Sequence, residues 1–301
     1  MLICVRCHGP LTRSLSDRLT CGNCAATFNR GPYGYFEMVQ QAVPDAGTAE
    51  DYAACQHHCS HAVLGFLRPL LEQEPCRTVL DVGCGVGGSI SELGKAGYDA
   101  FAVDLPEQAP LWAAAGNDPN RFFVASALNL PFQDNSFDFV FSLGVVEHIG
   151  TILGHCALAS DYQLKRQQYA KELLRVTKPG GRILIACPNK SFPIDIQHGP
   201  GDAAQRPRWI RSFIFNRTGM NVHKTWGAYH LVSYAELKMM FTRNGVREFT
   251  AISSRGYFQF GRFRRGFLKP FAKLAEHWVN NLPALARTTF LNPYVMAQIR
   301  K

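Results

Sequence analysis

Residues 78–87, Thr-Val-Leu-Asp-Val-Gly-Cys-Gly-Val-Gly, carry an apolar strand straight into a turn built on Gly83, Gly85 and Gly87. Glycines at a strand-to-helix turn let backbone amides come close to a ligand, in space that side chains would otherwise fill. A second apolar run, Tyr98 to Val103, ends in Asp104. A carboxylate about twenty residues beyond such a turn is placed to accept from both hydroxyls of a ribose. Glycine spacing alone is common in α/β proteins, so the blocks that follow matter more. These are Asn129-Leu130-Pro131-Phe132, then Ser136 to Ser142 (Ser-Phe-Asp-Phe-Val-Phe-Ser), then Glu147-His148-Ile149, then Lys178-Pro179-Gly180-Gly181 leading into Arg182-Ile183-Leu184-Ile185.

A second constellation is made of thiols. Cys4-x-x-Cys7 and Cys21-x-x-Cys24 are separated by thirteen residues, with turns at Gly9-Pro10 and Gly22-Asn23. Two facing knuckles of this kind give a closed four-sulfur tetrahedron that suits structural zinc and leaves no position open for catalysis. So short a segment cannot build a core, and metal binding would supply its folding free energy. A third grouping, Cys55-Gln-His-His-Cys59-Ser-His61, puts His57 and His61 one helical turn apart. It falls in a helix expected over 50–73, whose apolar face includes Ala62, Val63, Leu67, Leu70 and Leu71, so a helix that covers the ligand site of the glycine turn is the simpler reading.

The 301 residues are 47% hydrophobic, enough for one substantial core and a small accessory unit. Lys and Arg exceed Asp and Glu by nine, which points to an anionic partner: nucleic acid, a phosphorylated substrate or an acidic membrane surface. The first residues lack the apolar core of a secretion signal, and no uncharged apolar run is long enough to cross a bilayer. Ten cysteines without a secretion signal then argue for reduced thiols and a cytoplasmic protein, with a peripheral membrane location also open.

The elements that must position these groups follow from apolar runs alternating with helical segments. Strands are expected near 78–82, 99–103, 121–125, 137–142, 182–187, 246–252 and 294–299. Helices are expected near 88–96, 106–115 and 160–176, with Gly97 and Gly116 stopping the first two and Pro106 opening the second. Ser233-Tyr-Ala-Glu236 is a capping box that starts a helix ending before Gly245.

In this order the blocks resemble class I S-adenosylmethionine-dependent methyltransferases, especially the branch with ubiquinone and menaquinone methyltransferases, over about residues 50–250. A nicotinamide-binding domain would explain the first two blocks but wants a Gly-x-Gly-x-x-Gly spacing and does not predict the Leu-Pro-Phe and Pro-Gly-Gly elements. The resemblance implies an α/β fold: a doubly wound, seven-stranded, mostly parallel sheet with a small N-terminal zinc ribbon. It divides the chain into a zinc ribbon at 1–36, a linker and N-terminal helix at 37–75, and a methyltransferase domain at 76–301. Within that domain, 188–232 would form a lid and 254–291 an insertion between the last two strands. The segment from Leu2 to Phe36 looks like the zinc ribbons of some bacterial methyltransferases, including an rRNA guanine-N1 methyltransferase family.

Carried onto this chain, the resemblance places S-adenosylmethionine against Asp81, Gly83, Cys84, Gly85 and Gly87. Asp104 would hold the ribose, Leu105 would pack on the adenine, and Ser142 and Leu143 would line the methionine end. The family commonly has Asp before the Leu-Pro element to bind the adenine amine. Here Ser126 stands there, beside Ala127 and Leu128, so that contact is weaker or made by the backbone. Methyl transfer needs the nucleophile aligned with the methyl group and, where the nucleophile carries a proton, a base. His148, just past the fourth of these strands, is one candidate; His198, His223 and His230 in the expected lid are the others, and ordering of the loops is the competing role for each.

Residues 255–278 interleave Arg and Lys with aromatic residues, and Phe260, Phe263, Phe267, Phe271, Leu274 and Trp278 recur at helical spacing. Such a face suits an anionic membrane or RNA, or it packs on the catalytic domain. The function expected is methyl transfer to a small-molecule, glycan or lipid-like acceptor. The alternative is an RNA methyltransferase that uses the zinc ribbon for recognition, although no Asn/Asp-Pro-Pro-Tyr motif is present.

Overall fold

The structure is a computed structural model that describes residues 2–14, 17–39, 64–152, 157–195, 198, 207–254, 257, 269–281 and 291–301. The Cys55–His61 grouping and most of the 255–278 stripe lie outside the described residues. The chain forms two compact units. The first comprises Met1–Leu143, Gln168–Leu184 and Arg300–Lys301. The second comprises Gly144–Gln167 and Ile185–Ile299.

The first unit opens with a small antiparallel sheet of β1 (Leu11–Arg13), β2 (Leu19–Cys21) and β3 (Thr27–Phe28). Next come β4 (Phe36–Glu37), a helix over 64–71 (α1), β5 (Thr78–Val82), α2 (Gly88–Lys95) and β6 (Asp99–Asp104). They are followed by α3 (Ala109–Ala114), β7 (Phe122–Val124), β8 (Phe137–Leu143), and the parts of α4 (Tyr162–Val176) and β9 (Thr177–Pro188) that lie within residues 168–184. The strand order in this unit is β9-β8-β5-β6-β7-β4, and the pairs β5–β6, β5–β8, β6–β7 and β4–β7 are all parallel. Val79, Leu80, Val82, Ala102, Val103 and Val140 are fully buried, as expected of strands covered on both faces.

The parallel core matches the expected strands closely, and two differences stand out. Strand β4 is an edge strand that the seven expected strands did not include; it comes from the cysteine-bearing segment, and the boundary expected after residue 36 falls inside it. Strand β9 begins five residues early, because Gly180 and Gly181 exchange backbone hydrogen bonds with Lys301 at 2.9 and 3.1 Å. The Leu130-Pro131-Phe132 block is clamped by α4. Glu172 accepts from the Leu130 N–H at 2.7 Å, while Arg175 donates to the carbonyls of Leu130 and Phe132 and pairs with Glu172 at 2.8 Å.

The second unit holds the short antiparallel pair β10 (Ile194–Asp195) and β11 (Asn221–Val222), with α5 (Arg208–Thr218) running between them in sequence. Beyond these lie α6 (Tyr234–Thr242), β12 (Glu248–Ala251), α7 (Lys269–Asn281) and β13 (Tyr294–Arg300). Helix α6 starts at the expected capping box: Ser233 Oγ accepts from Glu236 N–H, and the Glu236 carboxylate accepts from Ser233 N–H at 2.9 Å. Strands β12 and β13 are neighbours, with α7 in the long connection between them. Phe271 and Leu274 of α7 are 68% and 66% exposed, so these two members of the aromatic stripe are not core. No described helix is long and apolar enough to cross a membrane.

Candidate functional site

At the carboxyl ends of β5 and β6, the sequence builds a tight cradle. Gly83, Gly85 and Gly87 all adopt positive φ (85°, 55° and 75°), the region that glycine enters without strain. Gly87 also has no room for a side chain, since a Cβ there would lie 2.2 Å from the Phe122 ring. Asp104 ends β6 and turns back over this loop, accepting from the Gly85 N–H at 2.7 Å and the Leu105 N–H at 2.8 Å. Burial pushes its carboxyl up to about 7, against the pull of those two donors. Asp81 is more deeply buried and well above the ordinary carboxyl range, chiefly through desolvation, with the Ser89 hydroxyl donating to it at 3.0 Å. The turn is fixed from behind by Trp112, whose ring N–H donates to the Gly85 carbonyl at 2.6 Å. Trp112 in turn packs edge-on against Tyr35, 5.2 Å between ring centres.

The other cofactor candidates divide by what they touch. Gly83, Leu105, Ala127, Leu128 and Leu143 are half-buried along the carboxyl edges of β5 to β8, and Cys84 is buried within the turn. Ser142 is fully buried and donates to the Val82 carbonyl at 2.7 Å, so its hydroxyl ties β8 to β5. Ser126 Oγ accepts from the Leu128 N–H at 3.2 Å, so it shapes the local turn. One group that sequence reading missed is Gln108, one helical turn beyond Asp104. Its Oε1 is buried and has no hydrogen-bond partner. Only its position just after Pro106 could have drawn attention to it.

The four cysteine sulfurs also converge. Cys4, Cys7, Cys21 and Cys24 place all their Sγ atoms within 4.8 Å of one another, with Cys4–Cys24 at 3.6 Å and Cys7–Cys21 at 3.4 Å. The edge of a zinc–thiolate tetrahedron is about 3.8 Å for bonds of about 2.3 Å, so the four residues fit zinc. The two knuckles repeat each other. Arg6 N–H and Asn23 N–H each donate to the sulfur two residues back at 3.4 Å, and His8 and Ala25 take matching left-handed conformations (φ 58° and 55°). Backbone donors, that of Cys24 first, pull the Cys21 thiol down to about 6.

In the second unit, three of the four histidine candidates come together. His148 is exposed, and its Nε2 lies 3.3 Å from Nε2 of His198. The opposite nitrogen of His198, Nδ1, is 2.9 Å from the buried Asp195 carboxylate. The His230 ring stands edge-on to His198 at 4.9 Å. Burial alone would depress His198, but Asp195 and then Glu147 outweigh it and raise its pKa. Burial, aided by His198, drives His230 down to about 3, so its ring is neutral. His223 stands apart, stacked on Tyr229 at 5.0 Å. Glu147 is fully buried, and burial pushes its carboxyl up to about 7.

Residues 80–185 match the family model described as a methyltransferase domain. The chain has the Rossmann-like α/β fold of methyltransferases, with a mostly parallel central sheet. The tocopherol O-methyltransferase of Arabidopsis thaliana is 35% identical over 124 residues, which is 38% of this chain and 31% of that protein. A 2-methyl-6-phytyl-1,4-hydroquinone methyltransferase of Synechocystis is 36% identical over 116 residues, 37% of this chain and 32% of its own. The probable tRNA methyltransferase 9B of Bos taurus is 32% identical over 151 residues, 50% of this chain and 29% of its own. The chain thus spans about a third of the length of these relatives.

Proposed function

We propose that this protein transfers the methyl group of S-adenosylmethionine to a small-molecule, glycan or lipid-like acceptor. The observation that carries the reading is the Gly83–Gly87 turn with the Asp104 carboxylate folded onto it, half-buried and beside a rim of apolar side chains. Asp104 would accept from the ribose hydroxyls, a two-point contact that a carboxylate matches well. Leu105 and Leu128 would flank the adenine, with Ser126 leaving the adenine amine to backbone carbonyls. Asp81 would organise the turn near the methionine amine, and Leu143 would line the methionine end. When bound, the cofactor supplies a methyl carbon activated by the sulfonium charge. His148 and His198, backed by Asp195, are the groups that would take a proton from the acceptor, with His230 as the neighbour that positions them; His223, on Tyr229, would order its own loop. The names of two relatives support a quinol-like acceptor.

A second reading, methylation of RNA, is favoured by the tRNA methyltransferase relative and by the net charge of +9. In either case the four cysteines would hold a structural zinc. Binding of S-adenosylhomocysteine by calorimetry tests the cofactor assignment. Labelled cofactor offered with organic-soluble and RNA fractions separates the two acceptors. Label entering neither fraction, in a protein that binds the cofactor, would refute both.

A further inference from the structure

We infer that the histidine cluster of the second unit is a binding site for a divalent first-row transition-metal ion, with Glu147, His148 and His198 as ligands. The inference goes beyond the proton-handling reading of these residues, since an ion on both Nε2 atoms would take up the lone pairs that otherwise accept a proton, and it stands or falls on metal binding alone.

Three observations carry it. First, Glu147, His148 and His198 present one ligand atom each, all within 4.8 Å of one another. The 3.3 Å between the two Nε2 atoms suits adjacent positions around one ion, since bonds of about 2.1 Å to each would subtend about 100°. Second, Glu147 is fully buried and both of its carboxylate oxygens lack a hydrogen-bond partner. A buried carboxylate in that state costs several kcal/mol unless a cation or a proton answers it. Third, His198 is oriented as a ligand usually is: Asp195 holds Nδ1 at 2.9 Å, which fixes the tautomer that leaves Nε2 with a free lone pair. Asp195 is itself held by the β10–β11 pair and accepts the His198 backbone N–H at 3.2 Å.

Two imidazoles and one carboxylate select borderline ions such as zinc, cobalt or manganese over calcium or magnesium, which prefer all-oxygen shells. The cysteine cluster offers only thiolates, so the two sites differ in spectroscopic signature. His148 is exposed, which leaves one side of the ion open to a further ligand.

The test uses the full chain saturated with Co2+ and freed of excess. The expected result is about two ions per chain: one with thiolate charge-transfer bands, and one with only the weaker bands of nitrogen and oxygen ligation. His148→Ala, a substitution at an exposed position, should remove the second signal and leave the first. Asp195→Asn should weaken the second ion by about 10–100-fold, the usual effect of losing the partner that orients a ligand. Wild-type protein that binds one ion with thiolate bands alone would overturn the inference. So would a second ion that survives both His148→Ala and Glu147→Gln. S-adenosylhomocysteine binding, measured on the same samples, shows that the variants are folded and keeps this outcome separate from the cofactor assignment.

Discussion

Asp104→Asn offers a direct probe of the cradle, because the variant should be more stable only at alkaline pH and less able to bind. The carboxyl is raised from 3.8 to about 7 by burial. An acid whose folded pKa is raised holds its proton in the folded state while the unfolded chain has already released it. Stability is therefore lost as pH climbs from about 4 to about 7, and no more is lost above that. The full interval is worth about 4 kcal/mol, and the solvent that still reaches this partly buried carboxyl reduces it to about 2. Asparagine removes the ionisation but keeps only one acceptor for the two donors, Gly85 N–H and Leu105 N–H, a loss of about 1 kcal/mol. Relative to wild type, Asp104→Asn should thus be about 1 kcal/mol less stable near pH 4 and about 1 kcal/mol more stable near pH 8, as read by urea unfolding. Calorimetry should show S-adenosylhomocysteine binding weakened about tenfold or more, as for a lost hydrogen bond to a charged group. A stability difference that stays constant from acid to alkaline pH would refute the burial argument.

Other substitutions test other parts of the molecule. Gly87→Ala meets both a left-handed backbone and the Phe122 ring at 2.2 Å, so chemical denaturation should show a loss of about 2–4 kcal/mol; a near-neutral effect would contradict the packing at that position. Arg175→Ala leaves the buried Glu172 without its partner and should destabilise the fold by about 3–5 kcal/mol, a drop that Glu172→Gln in the same chain should partly restore. By proton NMR, His230 should remain neutral throughout about pH 5–8 while His198 titrates above an ordinary histidine. The unfolded chain would protonate His230 where the folded one does not, so its contribution to stability should fall as pH drops below about 6.5.

Much of the fold was legible where an element carries a local signal. Thr78–Val82 and Asp99–Asp104 are apolar runs bounded by glycine, and the Ser233–Glu236 cap is written in four residues. The turn glycines likewise announce themselves, since only glycine takes three positive φ values in five residues cheaply. What stayed hidden depends on long-range pairing. Strand β4 is two residues long and has no periodicity to read; it exists because Phe36 and Glu37 lie beside Phe123 and Val124. The same holds for β10 and β11, and so for the place of Asp195 beside His198. His148, His198 and His230 were each named, but no spacing rule joins residues that far apart. Their convergence is a property of the folded unit alone. The roles of Ser126 and Ser142 were hidden for another reason: a hydroxyl satisfies a neighbouring backbone group as readily as a ligand, and the sequence does not say which.

The edge-on contact of Tyr35 with Trp112, and the hydrogen bond from the Trp112 N–H to the Gly85 carbonyl, join two parts of the first unit. Tyr35 immediately precedes β4, in the segment that the cysteine knuckles anchor, and Gly85 is the centre of the glycine cradle. Were an ion on the thiols and a ligand in the cradle to favour the same arrangement of these contacts, linkage would make the effect mutual, each tightening the hold on the other by the same factor. With zinc on the four thiols, the knuckles would act as a tensioner for the distant loop, and a chelator should loosen S-adenosylhomocysteine binding without touching any residue of the cradle; unchanged affinity after chelation would refute that link.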